Sequence, residues 1–379
     1  MFLSLDKGAW QSKSSVESMT IIINRISGVY VAIRLHLSGK IAGITLIYGI
    51  LPVLFIISLF LGRYEVPPSH VIQLLAAPVV NLMPEHIAHI DPGWTVAEQN
   101  VIYLIRLPRV IAAMLVGAGL AIAGAAYQGL FKNPLVSPDI LGVSSGAGFG
   151  AALAILLSAG ALLIQVSAFC FGILAVTITY LLSRFYRTTP TLILVLSGII
   201  VGAFFTALIS LTKYLADPYE KLPTITFWLM GSLASVRYID ILLVAPPILI
   251  AAAILLLIRW RINLLAIGDD EARALGIDTK RMSQIIILCS TLITAGAVCI
   301  AGIIGWVGLV VPHLGRMLVG PDYRKLLPVA ILLGASYMLI IDDIARNLTS
   351  AEIPLGILTA IIGAPFFAYL IRKRSVGWT

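Results

Sequence analysis

The charged residues of this chain fall into a few tight clusters. Asp269-Asp270-Glu271 and Arg273 stand between Gly268 and Gly276. Asp342 and Asp343 precede Arg346 by four and three residues, a spacing that puts all three on one helix face. Arg106 and Arg109 flank Leu107-Pro108, and His313 and Arg316 close a run spaced by Gly302, Gly305 and Gly308. Acids within an apolar stretch suit a proton relay or a helix-end charge cluster. Planar guanidiniums suit bidentate capture of carboxylates. The sequence has no Gly-x-x-x-x-Gly-Lys-Ser/Thr phosphate loop, and His313 has no Glu or second His at zinc-protease spacing. Recognition and charge pairing are therefore expected, with no catalytic residue and no metal site.

The elements that carry these clusters follow from hydropathy. Of 379 residues, 59% are hydrophobic and only 12% charged, with mean hydropathy +1.01. Soluble domains carry about 25% charge, so the chain reads as a polytopic membrane protein. The net charge of +8 does not imply nucleic acid, because the basic residues sit in short segments between apolar runs. Cys170, Cys289 and Cys299 each lie inside an apolar run and read as buried small hydrophobes.

The expected fold is all-α, with ten transmembrane helices over 41–374. The spans are placed at 41–62, 110–131, 188–212, 241–258, 326–347 and 353–371, with two uncharged runs too long for one crossing. The run 140–183 divides near 158–161, and 282–315 divides at 302–305. With the N-terminus inside, about 19 Lys and Arg fall on the cytoplasmic side and about 7 outside. Both termini are thus expected in the cytoplasm. Residues 1–40 read as a cytoplasmic extension, amphipathic over 20–37 or simply extended, and 375–379 as a cytoplasmic tail. The chain does not begin like a cleaved signal peptide. The proline-rich outer segment 63–108 contains a candidate interfacial stretch, 71–80. No convincing internal repeat supports an inverted-repeat transporter.

Small residues recur every fourth position: Gly117, Ala121, Ala125 and Gly129, then Gly142, Gly146 and Gly150. That spacing lines one helix face for close packing in lipid. The segment 259–281 reads as two short helices joined at Gly268, with acids in the first turn of the second and Gly276 ending it. By charge alone it is either a solvated loop or a cytoplasmic knob.

Taken in order, IRLPRVIAAMLVGAGLAIAGAAYQGLFKNPLVSPDILGVSSGAG, LAIGDDEARALGI, GIIGWVGLVVPH and EIPLGILTAIIGAPFFAYLIRK resemble the permease subunit of the iron-chelate/cobalamin (FecCD-type) ABC importers. The resemblance covers about 41–374. It departs in the first 40 residues and at Trp306, where the motif often has Phe.

The resemblance implies an ATP-driven importer of the bacterial inner membrane. The chain would pair with a second, identical permease and bind no cofactor, with ATP held by two copies of an ABC ATPase subunit. Gly268, Asp269, Glu271, Arg273, Ala274, Leu275 and Gly276 would form the ATPase-coupling knob. Arg106, Arg109 and Arg346 would lie at the outer surface and hold acidic residues of a periplasmic or lipid-anchored substrate-binding protein. Gly117, Ala121, Gly142, Gly146, Gly302, Gly305 and Gly308 would serve helix packing or the pathway, with spans 2, 3, 5 and 8 as its walls. A ferric siderophore is the favoured cargo, ahead of haem, cobalamin or molybdate. Two rivals stand against this reading. One is a proton-coupled secondary transporter using Asp342 and Asp343; the other is a polytopic membrane enzyme, which lacks paired catalytic groups at a membrane face.

Overall fold

A computed structural model describes residues 40–80, 93–184 and 191–372, with side chains from Tyr48 onward except at Val79, Leu370 and Ile371. The helix expected over 20–37 and the tail 375–379 lie outside the described residues, as do 81–92 and 185–190. One compact unit comprises Ile47–Thr379; the other, Met1–Leu46, enters the description only through the start of the first helix.

Every regular element among the described residues is helical. The first two are α1 (Lys40–Phe60) and α2 (Pro68–Val80). The third, α3 (Val96–Leu130), is the longest. Then come α4 (Val143–Leu156), α5 (Ala161–Ser183), α6 (Thr191–Leu215) and α7 (Lys221–Met230). The remainder are α8 (Tyr238–Leu257), α9 (Arg259–Ile267), α10 (Asp269–Ala274), α11 (Thr279–Ala301), α12 (Val307–Val319), α13 (Tyr323–Asn347) and α14 (Leu355–Arg372). Six of these are long and apolar enough to cross a membrane: α3, α5, α6, α8, α11 and α13. The shorter apolar helices α4, α12 and α14, with α1, stand where the other four spans are expected.

The two long apolar runs break where their glycines and turns predict. Between α4 and α5 the chain reverses at Ser158, with φ +59°. Between α11 and α12 it turns at Gly302, with φ +71°. A side chain at Gly302 would also run into the Trp228 carbonyl. Trp306, likewise left-handed at φ +69°, starts α12, and its indole lies against Gly363 of α14, where any Cβ would collide with it. The larger residue at 306 is accommodated by the missing side chain opposite.

Sequence placed the start of span 2 at Val110, yet α3 begins at Val96. Thr95 caps it in a reciprocal box with Glu98. The helix widens to π geometry over Val101–Arg106, which accommodates Pro108 and its missing N–H without a break. Arg106 and Arg109, which ended the uncharged run in the sequence, are both folded into the protein.

α3 and α11 are the most buried of the long helices: 78% of the most apolar window of each is buried within the chain, against 22% for α5 and 28% for α6. The small residues of α3 let two neighbours approach to backbone contact. Gly117 meets Gly334 of α13, with Ala121 beside it, and Gly124 meets Gly308 of α12. On α4, Gly146 lies against Ala175 and the Phe171 carbonyl of α5. Gly142 starts α4 from a left-handed conformation, φ +83°, and Gly305 faces open space.

Two sequence expectations are corrected. Cys170 is exposed on the outward face of α5, whereas Cys289 and Cys299 are buried. α7 was not anticipated; its Pro223 lies in the first turn, where a missing N–H costs no helix bond, and its Ile225 is fully buried.

Candidate functional site

Polar side chains gather at the two ends of the helix bundle. At 1.5 Å per residue, α13 is about 37 Å long and joins them, with Tyr323 at one end and Arg346 at the other.

At the Arg346 end the charged groups form a closed network. The Arg109 guanidinium donates through Nε to both Asp342 oxygens at 3.0 Å. Its Nη2 lies 2.9 Å from Asp342 Oδ1, and its Nη1 2.9 Å from Glu352 Oε1. Arg346 donates to the Ser58 carbonyl at 2.6 Å and to Asp343, and its Nε stands 3.7 Å from Asp342 Oδ2. The Ser58 hydroxyl donates to Asp343 Oδ2 at 2.7 Å. Arg106 donates to the Leu59, Phe60 and Tyr64 carbonyls at 2.7, 3.2 and 2.5 Å. The network ties α1, α3 and α13 together.

The three arginines were expected at the outer surface, and that exposure is corrected: Arg106, Arg109 and Arg346 are 3%, 5% and 5% exposed. Burying a charge is costly unless it is paired and hydrogen-bonded. Here acids and helix-end carbonyls supply the partners. The exposed guanidiniums at this end are Arg63, which caps the Arg346 and Thr349 carbonyls, and Arg237, paired with Asp240 at the start of α8. Asp342 and Asp343 are ion-paired with arginines, which suits a charge cluster better than a relay.

At the opposite end, α9 and α10 project as the expected pair of short helices. The chain passes extended through Gly268 and stops at Gly276, with φ +82°. The Gly276 N–H reaches the Arg273 carbonyl and the Ile277 N–H the Ala272 carbonyl, a glycine-terminated helix end that a side chain at 276 would strain. Ala272 is fully buried, whereas Arg273, Ala274 and Leu275 are exposed, Leu275 by 63%. Ile267 at the end of α9 is exposed by 66%. The result is a small apolar tip rimmed by Asp270, Glu271 and Arg273.

Polar contacts hold this tip to the spans. Lys132, left-handed in the loop after α3, reaches Asp269 at 2.7 Å. Gln128 donates to the Val136 carbonyl at 3.1 Å and accepts from Arg316 at 2.6 Å. His313 is buried, and Arg316 is taken up by Gln128 and Tyr323. The Asp322 carboxyl is held well below the usual range, first by Arg324 and then by Asn263, with its slight burial opposing. Sequence reasoning passed over Asn263 and Gln128, since neither amide is part of a charged cluster. It also passed over Asp139, whose carboxyl burial pushes up while the Ser144 hydroxyl opposes.

Against known proteins, the model of the FecCD transport family matches residues 50–373. The chain belongs to the FecCD transport family. It is 43% identical to the molybdate import system permease of Haemophilus influenzae, over 88% of this chain and 96% of that protein. It is 41% identical to the cobalamin import system permease of Halobacterium salinarum, over 73% and 75%. It is 40% identical to the hemin transport system permease of Yersinia pestis, over 71% and 82%. A solved structure described as an inward-facing metal-chelate-type ABC transporter superposes with TM-score 0.75 at 41% identity, covering 87% of this chain and 99% of that one. The chain is accordingly a membrane-embedded ABC importer permease, a transport component.

Proposed function

We propose that this permease forms the translocation path of an ATP-driven importer in a bacterial cytoplasmic membrane, working as a pair of identical subunits. The observation that carries the reading is the α9–α10 tip. It exposes Ile267, Ala274 and Leu275 at the end of a segment otherwise anchored to the spans, which suits insertion into a cleft of an ATPase. No phosphate-binding loop occurs in the sequence, so ATP would be held by two partner ATPase subunits. The excess of Lys and Arg on the α9–α10 side supports placing that side and both termini in the cytoplasm. A substrate-binding protein would then dock at the Arg346 end, on the exposed Arg63 and Arg237.

A ferric siderophore is the proposed cargo, in keeping with the metal-chelate-type structural relative. Molybdate is the second reading, favoured by the relative in Haemophilus influenzae that matches over 96% of its length. Elemental analysis of the ligand retained by the cognate binding protein separates the two. Iron in near-equimolar amount supports the first reading; molybdenum without iron replaces it with the second.

A further inference from the structure

The knob is fastened to the spans by contacts of unequal kind. Lys132 and Asp269 form an ion pair at the surface, and exposed pairs contribute little. Ile262 packs where Gly129 leaves room beside the Tyr323 ring, a non-directional contact that tolerates sliding. Asn263 differs from both. Its Nδ2 donates to Asp322 Oδ1 at 2.6 Å, and its Oδ1 accepts from the Tyr323 N–H at 2.7 Å. Asp322 is the N-cap of α13, accepting from the Arg324 N–H at 2.9 Å. A single amide of α9 thus holds both the cap and the first N–H of the helix that runs to the far end of the bundle. Trp260, one turn earlier on α9, lies 4.9 Å beneath the Arg324 guanidinium, and Arg324 itself grips Asp322.

We infer that Asn263 is a positioning residue for coupling: its amide clamp on the α13 cap makes the knob and α13 move as one body. If α9 shifted alone, the Tyr323 N–H and a cap oxygen would lose partners, a penalty that apolar sliding does not carry. α13 ends in Asp342, Asp343 and Arg346, which grip α3 and α1. Displacement of the knob is thereby passed to the end where cargo would enter. The inference rests on the reading of α9–α10 as the ATPase-facing element.

The test uses the full importer, reconstituted with its ATPase and binding protein. Asn263→Asp sets a carboxylate against Asp322. It should cut transport by about tenfold, within the usual range of coupling energies, and raise ATP hydrolysed per cargo imported. Assembly and basal hydrolysis should stay near wild type. Adding Asp322→Asn lets the amide then at 322 donate to the carboxylate at 263; because one Asp322 oxygen serves both Asn263 and the Arg324 N–H, the restored bond comes at the expense of the cap, so recovery should be partial. That partial recovery should appear in transport and stoichiometry together. Wild-type stoichiometry for Asn263→Asp, or two impaired single variants with no recovery in the double, overturns the clamp. Reduced assembly with normal stoichiometry in the complexes that form marks a merely structural contact and overturns it equally. Ala274→Glu on the exposed tip tests the underlying reading. If it is silent, the ATPase-facing knob fails; if it abolishes coupling while both Asn263 variants are silent, only the clamp fails.

Discussion

Arg109 illustrates how far a residue's type can be separated from its setting. Its sequence context, between Leu107-Pro108 and an apolar run, suggested a surface guanidinium. The fold instead closes it over Asp342 and Glu352. Sequence could show that Arg346 falls on the same helix face as Asp342 and Asp343, since that follows from spacing. It could not show that Arg109, 233 residues away from Asp342, would enter the same network. The pairing depends on α3 and α13 meeting at Gly117 and Gly334. Removing one partner of a buried ion pair costs about 3–5 kcal/mol. Arg109→Met should therefore lower the unfolding midpoint in detergent sharply, whatever the binding protein does. Arg63→Glu gives up only its bonds to the Arg346 and Thr349 carbonyls, so it should lower that midpoint far less and weaken docking in a salt-dependent way, since exposed pairs contribute about 0.2–1 kcal/mol each. Wild-type stability for Arg109→Met, combined with lost docking, would return that guanidinium to the surface role its sequence context suggested.

At the scale of elements, the glycines were the best guides. The breaks at 158–161 and 302–305 were legible because no helix of membrane length accounts for runs of that size, and the stop at Gly276 because a left-handed helix end favours glycine. The small-residue face of α3 was legible too, but not its partners. Periodicity says that something approaches closely and does not say what. The helix start at Val96 was hidden by buried arginines that looked like boundary charges, and α7 by Pro223. The close approach of α3 and α12 has a measurable consequence. A Cβ at Gly124 would collide with the Gly308 backbone, while one at Gly49 on α1 meets nothing within 4 Å. Gly124→Val should thus destabilise the protein by about 1–3 kcal/mol or more, as overpacking does. Gly49→Ala should not lower stability. Equal midpoints for these two variants would mean that α3 and α12 are not in backbone contact.

At the scale of the whole molecule, α13 spans the bundle between two polar assemblies, one closed and one presenting an exposed tip. The Arg346 end is held by internal ion pairs and ties three helices together. The other end offers Ile267, Ala274 and Leu275 outward on two short helices. Charge alone favoured a solvated loop there and the family resemblance a knob; the buried Ala272, the glycine-terminated α10 and the amide on the α13 cap favour the knob. The central claim is that an ATPase drives transport through this tip, and it is tested most directly by ATP-dependent cargo uptake into proteoliposomes. These should contain the permease, its ATPase and its binding protein, with ATP confined to the face on which Leu275→Cys is labelled by an impermeant thiol reagent. The account predicts uptake by the otherwise wild-type protein with ATP on that face. It predicts none for Ala274→Glu, because a carboxylate buried unpaired in an apolar cleft costs several kcal/mol. Undiminished uptake by Ala274→Glu, or uptake that needs ATP on the opposite face, would contradict it.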